Sequence, residues 1–214
     1  LNNERVIVNH LPGQVKQSEA LTHFINNYMH NGIITHVAHI DIDEFIVLKK
    51  HNSISDFISE YIVGNCAAIT MNWRFFGDSG LTINTGEPVT QRFTMCALNA
   101  NNHFKTIFNV KYFDKFWNVH SIKTHKGKYI KSTNGAIILG NKFSYGKSKN
   151  KEIDISVIQL NHYKSKTFSE FKYIRTRGSA DLHIINEDVE GNFNNSNINE
   201  IEDLSAHNFY KSLN

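Results

Sequence analysis

Asp41, Asp43 and Glu44 interrupt a run that is otherwise apolar and strand-like, entered through Val37-Ala38-His39-Ile40 and left through Phe45-Ile46-Val47-Leu48. Carboxylates are rarely placed in core-bound β-structure for stability alone. The run therefore reads as a buried strand whose exposed end carries the acids. In an extended chain, residues two apart point to the same side, which lets Asp41 and Asp43 converge on one hard cation. Oxygen ligands of this kind suit magnesium or manganese. A bare Asp-x-Asp arises about once by chance in a chain of this size, so its position inside an apolar run carries the inference.

The 214 residues, of which 40% are hydrophobic, are enough to bury a sizeable core, and they fit a single soluble α/β or α+β domain spanning residues 1–214. Neither a basic-plus-apolar leader nor an apolar stretch long enough to span a bilayer occurs in the sequence. The chain opens on Leu1, which suggests a fragment. Cys66 and Cys96 lie in apolar contexts with no metal-type spacing, so they read as buried small hydrophobes and favour a reducing, cytoplasmic compartment. Net charge is +3, with lysines crowded between residues 101 and 151 and acidic residues gathered after Asp181. Such a basic middle suggests phosphates nearby or a solvated lysine face. No nucleic-acid-binding motif accompanies it, and nucleic acid is not the expected partner.

Along the chain, strand and helix signals alternate. Val6 to Val8 reads as a short strand, and Pro12-Gly13 as a turn before a helix with Ala20, Leu21, Phe24, Ile25 and Tyr28 on one stripe. Ser53-Ile54-Ser55-Asp56 starts a second helix, and Ala67 to Trp73 is a buried strand. Short β-prone runs follow at Lys105 to Val110, Tyr129 to Lys131 and Ala136 to Leu139, then a strand from Ile153 to Leu160. Thr167-Phe168-Ser169-Glu170 is a capping box opening a helix that stops at Gly178, and the Asn-rich stretch 192–198 reads as a loop.

Several familiar motifs fail. Gly140 and Gly146-Lys147-Ser148 imitate a phosphate loop, but five residues separate the glycines where four are needed. Ile46 occupies the glycine position of an EF-hand beginning at Asp41. Glu44-Phe45 disfavours an aspartyl-nucleophile phosphatase. Among the histidines His162 stands apart, because it ends a predicted strand just ahead of a capped helix, where an imidazole could complete a cation site begun by Asp43.

Taken in order, Asp41-Ile42-Asp43-Glu44-Phe45, Asn72-Trp73-Arg74-Phe75-Phe76-Gly77-Asp78-Ser79-Gly80, Phe104-Lys105-Thr106-Ile107, His120, His162-Tyr163-Lys164-Ser165-Lys166, Glu170-Phe171-Lys172 and Arg177-Gly178 resemble glycosyltransferase family 92 and related family 2-like glycosyltransferases. The resemblance covers about residues 14 to 182. It implies a GT-A fold, a Rossmann-like mixed sheet flanked by helices, with a metal at the Asp-x-Asp and the first N-terminal strand of the family pattern missing. It further implies transfer of a hexose from a nucleotide sugar, UDP-linked in this reading, to a glycan or glycoprotein acceptor, with inversion.

On that resemblance Asp43 and Asp41 hold Mn2+ or Mg2+ with His162 as the third protein ligand, and Asp41 is an alternative contact for the donor ribose. Lys105, Lys164 and Arg177 are phosphate contacts, and Asp78, where the family tends to have a small polar residue, is the base that deprotonates the acceptor. Trp73 and Phe76 could stack on a sugar, and Glu44 could position the metal ligands. Two other readings share the acidic site: a metal-dependent phosphoryl-transfer enzyme or nuclease, and a non-catalytic glycan- or nucleotide-binding module.

Overall fold

The computed structural model describes residues 6–13, 15–138, 146–178 and 188–212, with the side chains of Asn150 and Arg177 left outside the description. The chain runs through α1 (Gln17–Phe24), continued by a π-helical turn over Ile25–Met29, then β1 (His36–Ala38), β2 (Glu44–Leu48), α2 (Ile54–Tyr61), β3 (Cys66–Phe75), α3 (Val89–Arg92) and β4 (Met95–Cys96). It continues with β5 (Phe104–Asn109), β6 (Phe113–Phe116), β7 (Ile122–Thr124), β8 (Tyr129–Lys131), β9 (Ile137–Ile138), β10 (Ile158–His162), α4 (Phe168–Arg177), α5 (Val189–Ser196), β11 (Ile201–Glu202) and α6 (Ser205–Ser212).

The main sheet is mixed. Its path is β1-β5-β3-β10-β2, with β8 alongside β3 and β9 alongside β8. β3 runs parallel to β10 and β8 and antiparallel to β5, a mixed sheet consistent with the expected GT-A-like α/β fold. Buried from Cys66 through Arg74, β3 is the spine of the fold, because strands cover it on both sides and an uninterrupted run such as Cys66-Ala67-Ala68-Ile69 has no water-facing edge. One apolar cluster gathers Phe57, Ile69, Met71, Trp73, Ile158 and Leu160 on one face. A second gathers Met29, Phe104, Phe108, Ile122 and Ile130 on the other.

Local signals act as read at both capped helices. Ser53 Oγ accepts from the Asp56 amide at 3.1 Å, and Thr167 with Glu170 forms a reciprocal capping box, after which Gly178 ends α4 at φ 90°. Three readings change. Val6 to Val8 stays exposed and unpaired, so the first strand among the described residues is β1. The strand expected over Ile153 to Leu160 is shifted towards the C-terminus and spans Ile158–His162, where it pairs with both β2 and β3. The Asn-rich loop is instead α5: Asp188 caps it by accepting from Gly191 N at 2.9 Å, and its buried Phe193 packs edge-on against Phe168 and Phe171. Tertiary burial of one aromatic overrides the weak helix propensity of its asparagines.

Leu139 and Gly140 of the sequence patterns lie outside the described residues. Among those described, no helix is long and apolar enough to cross a membrane.

Candidate functional site

The acidic motif sits in a turn, not in the extended chain expected from its apolar flanks. Glu44 N donates to Asp41 O at 3.0 Å, and Asp41 N donates to Glu44 Oε2 at 2.9 Å, which closes a tight loop between β1 and β2. Ile42 stands at its tip, 99% exposed. Same-side convergence by strand alternation therefore does not apply, and each aspartate has its own surroundings.

Asp43 faces β10. Antiparallel pairing sets His162 opposite Glu44, and Tyr163 N donates to Asp43 O at 2.9 Å. Register thus brings His162 Nε2 to 3.8 Å from Asp43 Oδ1, while Lys166 Nζ donates to Asp43 Oδ2 at 3.0 Å. Burial lowers the pKa of His162, with Asp43 opposing the shift, so the ring is neutral near pH 7 and has a lone pair to offer.

Asp41 faces β5. Its Oδ2 accepts from Lys105 Nζ at 3.2 Å and its Oδ1 from Gln17 Nε2 at 3.4 Å. Lys105 is fully buried, and its ammonium also donates to Val119 O at 3.1 Å and lies 3.8 Å from Glu44 Oε2. Expected as a phosphate contact, Lys105 here neutralises the carboxylates from behind. Glu44 is itself buried, and burial, outweighing the opposing pull of Lys105, raises its pKa to about 7. Its Oε1 has no partner among the described residues.

Asp43 and His162 thus come together, while Asp41 is turned to Lys105. Among the described residues no group of three or more His, Cys, Asp or Glu side chains is arranged to hold a metal ion. The donor set of one carboxylate and one neutral imidazole, Asp43 Oδ1 facing His162 Nε2, still fits a hard cation shared with substrate phosphates. Magnesium-type ions take one or two protein carboxylates and complete their shell with phosphate and water.

Beside this pair, Trp73 is ringed by imidazoles: His162 at 4.4 Å between ring centroids, His103 stacked at 5.1 Å and His120 edge-on at 5.3 Å. Burial, reinforced by Lys105, holds His120 down at about 4. Burial also lowers His103, with Lys147 and Lys164 adding to the effect. Trp73 Nε1, His120 Nδ1 and His162 Nδ1 are all buried without a partner among the described residues. No sequence motif marks His103; its place immediately before Phe104-Lys105 is the one signal that points to it. Phe76, expected as a possible sugar platform, is buried against Tyr163 at 4.7 Å and belongs to the core.

Lys164 lies half-buried over the Phe75 ring, and burial together with neighbouring Arg175 depresses its pKa. Arg175, which the sequence patterns do not point to, has a buried Nε with no partner among the described residues. The Arg177 side chain lies outside the described residues. Asp78 sits just after β3, where Gly80 N and Asn199 Nδ2 donate to its Oδ1 at 2.9 and 3.1 Å and Asn197 Nδ2 donates to its Oδ2 at 2.8 Å. Both of its oxygens are therefore engaged in clasping the 197–199 segment.

A family model described as Glycosyltransferase family 92 matches residues 15–205. No curated protein matches the chain.

Proposed function

The chain belongs to glycosyltransferase family 92, and from that premise we propose that it is a transferase moving a hexose from a UDP-linked donor to a glycan acceptor, with the donor diphosphate seated against Asp43, His162, Lys164 and Lys166. The observation that carries this reading is the meeting of Asp43 Oδ1 and His162 Nε2, 3.8 Å apart, beside two lysines of the segment that follows β10. Carboxylate and neutral imidazole would hold Mn2+ or Mg2+, and the lysines would face the phosphates. A divalent cation in that position supplies charge neutralisation to a departing diphosphate without any proton transfer.

The protein's own groups have separate tasks in this reading. Lys105 fixes Asp41 and Glu44 from the core side, which keeps the turn rigid where the ligand must be positioned within fractions of an ångström. Trp73 and its imidazoles form a wall beside the Asp43–His162 pair against which the bound sugar nucleotide would rest. Inversion requires a base for the acceptor hydroxyl. Asp78 is the proposed carboxylate, and to serve it would have to release Asn197 or Asn199.

Isothermal titration of UDP with and without Mn2+, on the wild-type chain and Asp43→Ala, tests the reading. Manganese-dependent UDP binding that vanishes in the variant is expected. Binding that ignores both manganese and Asp43 would refute the donor-site assignment. A screen of UDP-sugars against UDP and inorganic pyrophosphate then separates a transferase from a phosphoryl-transfer enzyme, which would show no preference for the sugar.

A further inference from the structure

We propose that Lys166 is a positioning residue that occupies the Asp43 carboxylate until cation and diphosphate arrive together, and then transfers its ammonium from Asp43 to a phosphate oxygen. The inference rests on the donor-site reading above, and it adds a coupling between cation and donor that the reading alone does not contain.

Lys166 Nζ donates to Asp43 Oδ2 at 3.0 Å, and the two side chains are only 12% and 24% exposed. Asp43 is also the carboxylate nearest His162. Any cation bound there must share or take the oxygen pair that the lysine already neutralises, and an ion pair shielded from water competes far better than one on the open surface.

The backbone holds this arrangement under strain. Lys166 adopts φ 55°, a left-handed conformation that costs a side-chain-bearing residue about 1–2 kcal/mol. Its neighbours allow no relaxation. Ser165 is fully buried and donates from Oγ to Ser196 O at 2.7 Å, and Thr167 is fully buried as the cap of α4. The main chain is therefore clamped on both sides, and only the flexible side chain can move, over an arc that keeps the ammonium near Asp43.

Charge then decides the order of events. Asp43 and Asp41 act on His162 against Lys164 and Lys105, and each aspartate has a lysine partner of its own, Lys166 and Lys105, so the negative charge of the turn is already matched. A bare divalent cation meets an aspartate that is already paired and brings the displaced ammonium no new partner. A diphosphate brings the compensating negative charge and gives the displaced ammonium a new partner. Cation and donor should consequently bind far better together than apart.

Mn2+ binding measured by electron paramagnetic resonance of the free ion, with and without UDP, tests this on wild type, Lys166→Met, Lys166→Arg and Asp43→Asn. Lys166→Met is expected to bind Mn2+ alone about tenfold more tightly and to lose about tenfold in manganese-dependent UDP affinity. Lys166→Arg should stay near wild type. Should Lys166→Met fold poorly, Lys166→Gly carries the same expectation, because glycine accepts φ 55° without strain. Equal Mn2+ affinity in wild type and Lys166→Met, abolished in Asp43→Asn, would overturn the role of Lys166 and leave the donor site standing. No Mn2+ binding in any variant, with or without UDP, would overturn both.

Discussion

Lys105 donates from a fully buried ammonium to Asp41 Oδ2 at 3.2 Å, so the lysine that most resembles a substrate contact in the sequence is the internal counter-ion of the acidic turn. Only the lysine of this pair is buried, since the Asp41 side chain is 39% exposed and water takes over part of its solvation when Lys105 is removed, while Glu44 stays buried beside it. Lys105→Met is therefore expected to destabilise the fold by about 1–3 kcal/mol in urea unfolding, and the double variant with Asp41→Asn to cost less than the sum of the two singles. Strict additivity would show that the two groups do not act as a pair.

Arg92 grips Glu170 through two N–H groups, each 2.9 Å from a carboxylate oxygen, and this holds the carboxyl at about 2. A folded pKa below the unfolded one adds stability that is present in full above about 4.5 and is lost as pH falls towards 2. Wild type should therefore exceed Glu170→Gln in stability at pH 7, with the gap closing between pH 4.5 and 2. Denaturant midpoints at pH 7, 4 and 2.5 measure it, and a gap that does not change with pH would contradict the linkage.

Gly146 packs directly on His120. A Cβ at residue 146 would lie 2.2 Å from the Cβ of His120, and φ there is 71°. Gly146→Ala should displace His120 from the Trp73 wall, with a cost of about 2 kcal/mol or more from strain and clash together. Tryptophan fluorescence and thermal unfolding report the two effects. An unchanged spectrum with unchanged stability would show that the 146–148 segment does not fix the ring.

Asp78 gives opposite signatures for its two roles. As a clasp, Asp78→Asn loosens the 197–199 segment, visible as faster amide exchange there, and lowers turnover only a few fold. As the acceptor's base, it lowers kcat by about a hundredfold or more while manganese-dependent UDP affinity is unchanged.

Much of the architecture was legible because it rests on local chemistry. The α4 capping box and its Gly178 stop follow from side chains that bond their own backbone, and the buried β3 follows from an unbroken apolar run. The same local reading misjudged residues 192–198, where Phe193 finds its partners on α4, the preceding helix, which lies outside the segment's own pattern.

The candidate site divides along the same line. Asp41, Asp43 and His162 could be singled out from the sequence, because acids inside an apolar run and an imidazole at a strand end have few structural uses. Which of them meet could not be, since that depends on a turn closing at Glu44 and on the register of β10 against β2. Sequence thus determined which chemical groups are present and which strands and helices carry them. Tertiary structure decided that Asp43 faces His162 and Lys166 while Asp41 faces Lys105, because pairing across a sheet is set by packing between segments far apart in the chain, and no local pattern encodes it.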